Sequence, residues 1–269
     1  MQEADRQFVG SIPALYDRYL VPFLFEPYAR DMAGRLAGLR SGRLLEIACG
    51  TGAVTRAMAA ALPAAVEIVA TDLNQPMLDY AAKQPIARPV TWRQADALAL
   101  PFADAGFDTV ICQFGAMFFP DKEAAYREAR RVLRPGGRLI FSVWDRLEAN
   151  EASAVLSAAV AACFPDDPPR FVARTPHGYH DAAAILAALG RAGFSEMAAE
   201  IVPARGRAAA ARELAIGLCQ GSPLRGEIEA RDAARLAAVT DAAAAALARA
   251  FGDGPVDTAM QAILLTARA

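Results

Sequence analysis

Lysine is nearly missing from this chain. Of 28 basic residues only Lys83 and Lys122 are lysine, and the rest are arginine. With alanine so abundant, the imbalance reads as compositional bias and not as function. Histidine occurs only as His177 and His180. The four cysteines, Cys49, Cys112, Cys163 and Cys219, stand far apart with no CxxC pair and no histidine at metal-ligand spacing. That excludes a disulfide framework and a structural zinc site, so the expectation is free thiols and no bound metal. No uninterrupted apolar run approaches the roughly 20 residues of a membrane span. The opening Met1-Gln2-Glu3-Ala4-Asp5 is charged and lacks the apolar core of a secretory signal, which predicts a cytoplasmic protein. A net charge of −2 offers no broad attraction to nucleic acid or to an anionic membrane. Internal repeats and low-complexity linkers are absent as well.

What is present is a chain of 269 residues, 55% hydrophobic and 22% charged, enough for one large domain with a cap. Apolar runs bounded by turn residues predict strands at 43–48, 66–71, 90–94, 107–113 and 138–144. Helical patterns fall between them at 53–62, 75–83 and 122–133. Strands alternating with helices imply parallel βαβ units and an α/β, doubly wound, mostly parallel sheet. Helices at 13–39, 148–163, 181–192 and over about 207–251, the last interrupted at Gly221-Ser222-Pro223, have no place in that order. The stretches 13–39, 148–192 and 207–251 are therefore expected to form a lid or cap. Short strands at 196–202 and 259–267 complete a single domain.

The most informative stretch is Leu44-Leu45-Glu46-Ile47-Ala48-Cys49-Gly50-Thr51-Gly52, a buried strand running into a glycine turn. Glycine lets backbone approach a ligand closely at the carboxyl edge of a parallel sheet. The second strand ends in Asp72, 20 residues beyond Gly52, where an acid can accept hydrogen bonds from ribose hydroxyls. These features suit several nucleotide-like ligands. A dinucleotide fingerprint would place glycine or alanine at position 55, which is Thr55 here. Glu46 would be a misplaced buried charge unless a cation or a hydrogen-bond donor meets it, as the ammonium of an amino acid would.

Five segments in order, Leu44–Gly52, Val69–Asn74, Gln94–Phe102, Phe107–Phe118 and Arg131–Trp144, resemble the class I S-adenosylmethionine-dependent methyltransferases, in particular the small-molecule branch called type 11. The resemblance covers roughly residues 40–145. It implies a Rossmann-like, seven-stranded sheet with an antiparallel last strand and helical cap insertions. It also implies S-adenosyl-L-methionine as cofactor and S-adenosyl-L-homocysteine as product. By that resemblance Glu46, Ala48, Gly50 and Gly52 surround the methionine portion and Asp72 holds the ribose. Leu73 and Met77 pack on adenine, Asp96 reaches its amino group and Ala97 lies beside it. Gln113 and Phe114 line the edge where methyl donor and acceptor meet. Tyr16-Asp17 resembles the N-terminal helix that closes over the cofactor in this family, with Tyr19 on the same helix.

His177 and His180, in the expected cap, are candidate proton acceptors together with Tyr16. A simpler structure competes: Asp181 can be the N-cap of the helix that follows, with His180 merely preceding it. Methyl transfer from a sulfonium needs alignment and exclusion of water more than it needs a base or metal. The expected function is methyl transfer to a small, partly apolar acceptor. The alternatives are a quinone-type C-methyltransferase, set lower because no methionine-rich N-terminal stretch is present, and a cofactor-binding homologue such as a cyclase or regulator. A nicotinamide-dependent oxidoreductase is less favoured, given Thr55, Glu46 and the missing Tyr-xxx-Lys.

Overall fold

A computed structural model describes residues 3–269. In chain order the helices and strands are α1 (Ile12–Leu15), a π-helical segment (Tyr16–Phe25), α2 (Glu26–Arg35), β1 (Gly42–Ile47), α3 (Ala53–Ala61), β2 (Val66–Asp72), α4 (Gln75–Ala81), β3 (Thr91–Gln94) and β4 (Phe107–Gln113). They continue with α5 (Lys122–Val132), β5 (Leu133–Trp144), α6 (Glu151–Ala162), α7 (Phe171–Arg174), α8 (Ala182–Arg191), β6 (Ser195–Ala208), α9 (Ala211–Gln220), α10 (Leu224–Asp232), α11 (Leu236–Phe251) and β7 (Val256–Arg268).

The seven strands form one sheet in the order β3-β2-β1-β4-β5-β7-β6. The first five are parallel to their neighbours. β7 is antiparallel to β5: Gly136 N donates to Ala269 O near one end, and Asp145 N donates to Gln261 O near the other. The doubly wound, seven-stranded expectation is met. β5 starts earlier than expected, because Arg134-Pro135-Gly136-Gly137 does not only end α5. Gly136 and Gly137 already exchange hydrogen bonds with Ala269, so the ladder begins inside that turn. β6 is likewise longer than the stretch at 196–202 and takes up the start of the region expected to be helical from 207.

The described residues divide into two compact units. Unit 1 holds the residues up to 27, then 144–179 and 203–261; unit 2 holds 28–143, 180–202 and 262–269. The chain passes between them in α2, at the end of β5, after residue 179, and within β6 and β7. Expectation had placed all of 13–39 and 148–192 in the cap, whereas 28–39 and 180–192 group with the sheet. The reason is visible for α2. Ala29, Met32, Ala33 and Leu36 are buried in one cluster with Leu44 of β1, Val54 and Met58 of α3, and Ile68 of β2. At about 25 cal/mol per Å² of apolar surface, that burial outweighs any contact an isolated lid helix could make with solvent. α8 is tied to α5 by Arg191 and Glu123 and begins at Asp181, whose Oδ1 accepts from Ala184 N.

Unit 1 is helical. α11 lies along α9 and α6, and α9 lies along the π-helical segment. That segment has a chemical cause in Pro22, which has no N–H to give and crowds the preceding turn. The helix widens instead of breaking, so that Glu26 N reaches Val21 O, five residues back. No helix among the described residues is long and apolar enough to cross a membrane. All four cysteines are free.

Candidate functional site

Unit 2 gathers most of the residues singled out in the sequence at the carboxyl edge of β1–β4. The chain turns one way from β1 to β2 and β3 and the other way from β4 to β5. The gap between β1 and β4 is therefore a topological switch point, the usual ligand crevice of such sheets. The chain ends of β1, β2 and β3 are joined there by specific bonds. Cys49 N donates to Thr71 O at 2.8 Å, and Ala95 N donates to Asp72 O at 3.0 Å. Gln94 Nε2 donates to Leu73 O at 2.8 Å.

Asp72 is the hub. Its Oδ2 accepts from Gly50 N at 2.9 Å and its Oδ1 from Asn74 N at 2.8 Å. Burial pushes its carboxyl above the ordinary value, while the amides of Asn74 and Gly50 pull the other way. Oδ1 also accepts from Asn74 Nδ2 at 3.4 Å, whereas Oδ2, with one N–H accepted, keeps a further lone pair. Glu46 sits deeper, 1% exposed on β1. Thr55 Oγ1 donates to its Oε2 at 2.5 Å. Burial, aided by the charge of Asp72, pushes the Glu46 carboxyl up to about 8, against the pull of Thr55 and Arg56. Burial also pushes the Cys112 thiol up to about 12 and raises that of Cys49 well above its usual value, which makes poor nucleophiles of both.

The backbone at this edge is unusual at four places. Ala48, Gly50, Gly52 and Phe114 all have positive φ, of 56°, 57°, 83° and 54°. Ala48 and Phe114 carry side chains, so each is held at a cost of order 1–3 kcal/mol by its surroundings. Gly52 could not be replaced freely: a Cβ there would lie 3.0 Å from the ring of Trp92 and 3.3 Å from Ala81 Cβ. Gly115, which sequence reasoning passed over, is tighter. A Cβ on it would come within 2.5 Å of Ala48 Cβ and 2.7 Å of Cys112 Sγ. The loops after β1 and β4 approach that closely only because position 115 has no side chain.

The remaining candidates divide. Leu73 is an exposed apolar side chain, 38% accessible, directly after Asp72. Met77 is buried, its methyl 3.6 Å from where a Cβ of Gly50 would be. Asp96 is exposed and caps a turn, its Oδ1 accepting from Leu98 N at 2.9 Å. Ala97 is buried beside it. Gln113 ends β4, and Phe114 lies edge-to-face against Tyr28 with ring centroids 5.2 Å apart.

Tyr16, Tyr19 and His177 belong to unit 1, and His180 to unit 2. The two histidines are thus separated by the unit boundary. His177 is buried, with Nδ1 2.8 Å from the carbonyl oxygen of Asp145 and its ring 6.0 Å from that of Trp144. His180 is exposed next to the N-cap Asp181. Tyr16 stacks on Phe25 at 5.0 Å, and the guanidinium of Arg18 lies 5.0 Å from the centre of the Tyr19 ring.

A parallel half-sheet with glycine turn and acid at its carboxyl edge, continued by an antiparallel final strand, defines a methyltransferase-type α/β fold. Residues 45–141 match the family model described as a methyltransferase domain. Over 110 residues the chain is 44% identical to a ubiquinone/menaquinone biosynthesis C-methyltransferase, UbiE, of Ectopseudomonas mendocina, covering 39% of this chain and 43% of that protein. The chain spans about half or less of the length of the curated relatives it matches. Among solved structures, phosphoethanolamine N-methyltransferase 2 of Haemonchus contortus superimposes with a TM-score of 0.61 at 16% identity, over 98% of this chain and 59% of that one. The [4+2]-cyclase SpnF superimposes with a TM-score of 0.57 at 24% identity, over 91% and 80%. These last two likenesses are of fold.

Proposed function

We propose that this protein transfers a methyl group from S-adenosyl-L-methionine to a small, partly apolar acceptor. The observation that carries the reading is the junction of the glycine turn with the two acids, in which Gly50 N is bonded to Asp72 and Glu46 is buried three residues before Cys49. The residues fit such a cofactor. The turn keeps side chains away from the β1 edge, Asp72 has acceptor capacity left for a ribose, and Leu73 offers an uncovered apolar surface beside it. Glu46 provides a buried acceptor for an ammonium.

In this reading Glu46, Ala48, Gly50 and Gly52 bind the methionine end. Asp72 binds the ribose, Leu73, Met77, Asp96 and Ala97 the adenine, and Gln113 and Phe114 orient the reacting edge. The cofactor supplies an already activated methyl group on a sulfonium. The chain's own work is to align the acceptor and exclude water, which accounts for a site without a conspicuous acid–base constellation. The helical segments of unit 1, which carry Tyr16, Tyr19 and His177, are the candidates for choosing the acceptor. The free thiols fit a reducing, cytoplasmic setting.

A second reading is favoured by one finding: the relatives similar over 100 to 129 residues are named ubiquinone/menaquinone biosynthesis C-methyltransferase or demethylmenaquinone methyltransferase. The similarity covers the cofactor half, so it bears on the donor more than on the acceptor. Incubation with methyl-labelled S-adenosylmethionine and a panel of phenols, amines, carboxylates and a short-chain hydroquinone tests both. Label in any product supports methyl transfer, and label only on the ring carbon of the hydroquinone supports the second reading. S-adenosylhomocysteine binding with no label transferred to any acceptor favours the non-transferring, cyclase-like alternative.

A further inference from the structure

We propose that Thr55 is a positioning residue that orients the Glu46 carboxyl and favours its ionised form for the cationic end of the bound cofactor. The inference rests on the cofactor assignment above and goes beyond it to a pH-gated binding step.

The geometry singles out Thr55. It stands in the first turn of α3, where a threonine hydroxyl usually bonds back to main-chain carbonyls of its own turn. Instead Thr55 Oγ1 crosses to β1 and donates to Glu46 Oε2 at 2.5 Å, with both side chains essentially inaccessible to solvent. Glu46 is fixed at its main chain too, because its carbonyl accepts from Thr71 Oγ1 at 2.8 Å. One carboxylate oxygen is therefore committed to Thr55, and Oε1 retains its acceptor capacity. A hydroxyl that donates to a carboxylate favours the charged form.

The charged and titratable groups around Glu46 are Asp72 at the end of β2, Arg56 on α3, Cys49 in the glycine turn and Cys112 on β4. Both thiols are held neutral by burial. Asp72 opposes ionisation of Glu46, and Arg56 and Thr55 favour it. With the Glu46 carboxyl near 8, the ligand-free protein at neutral pH holds mostly the uncharged acid. A ligand carrying an ammonium binds the ionised form, so binding expels a proton and tightens as pH rises.

Calorimetric titration with S-adenosylhomocysteine from pH 6 to 9 tests this on the intact chain, comparing wild type, Thr55→Val and Thr55→Ser. Wild-type affinity is expected to climb from pH 6 and to level only above pH 8. Thr55→Val raises the Glu46 carboxyl by about one unit, which makes binding about ten-fold weaker at pH 7. The ratio of the two affinities then closes toward one above pH 8. Taking that ratio cancels the ligand's own titration. Thr55→Ser restores the hydroxyl and follows the wild-type curve. A ratio that stays constant from pH 6 to 9, or a Thr55→Ser protein no better than Thr55→Val, overturns the proposal. Absence of wild-type binding at every pH removes the cofactor reading itself and the proposal with it.

Discussion

Glu46 and Asp72 lie on neighbouring strands, both out of water, and they are handled differently. Asp72 is met by two backbone amides, whereas Glu46 has a single side-chain donor, so Glu46 is the group whose charge is in question. Its folded value near 8 stands above the usual carboxylate value it regains on unfolding. The folded state therefore binds the extra proton, and the stabilisation from a neutral Glu46 is complete below the unfolded value and is lost as pH climbs toward 8. Glu46→Gln removes that linkage. In urea unfolding, wild type should lose stability relative to Glu46→Gln between pH 5 and 8, by at most about 1.4 kcal/mol per pH unit. Parallel stability curves for the two proteins would show that Glu46 stays ionised in the folded state.

At the scale of elements, the strands and helices of the half-sheet were legible because each carries a local signal. Val110, Ile111 and Cys112 form a run buried on both faces, Pro76 opens α4, and Asp121 caps α5 through Ala124 N. The glycine turn and Asp72 were legible because their spacing along the chain reflects the βαβ unit. What could not be read were bonds that depend on how elements meet. Nine positions separate Glu46 from Thr55 in a pairing that no periodicity encodes, and Thr55 had served only as evidence against another cofactor. Gly115 had a local signal, a glycine directly after a strand end, but its reason is the neighbouring loop at Ala48. The early start of β5 was hidden for the same reason, since its partner lies at the far end of the chain. Gly115→Ala forces apart the loops after β1 and β4 without substituting any of the named ligand-binding residues. It is expected to weaken S-adenosylhomocysteine binding at least ten-fold and to lower the melting temperature. A variant with unchanged affinity would mean that the two loops can separate without cost to the site.

At the scale of the whole chain, the two compact units answer two different questions. Unit 2 contains the segment 45–141 that carries the family match, and its loops bear on which cofactor is bound. Unit 1 is built from helices outside that segment, and the acceptor is expected to be chosen there. Its sequence is rich in alanine and its helices could be foreseen, but alanine faces carry little chemical information. Sequence therefore spoke clearly about donor and faintly about acceptor. The central claim is that the Gly50–Asp72 edge holds S-adenosylmethionine. Ligands that bind the folded state raise its melting temperature. The most direct measurement is thermal unfolding of the whole chain with S-adenosylhomocysteine, with NAD and with neither, repeated for Asp72→Ala. The account predicts a clear upward shift with S-adenosylhomocysteine alone, largely lost in Asp72→Ala. A shift with NAD alone, or an undiminished shift in Asp72→Ala, would contradict it.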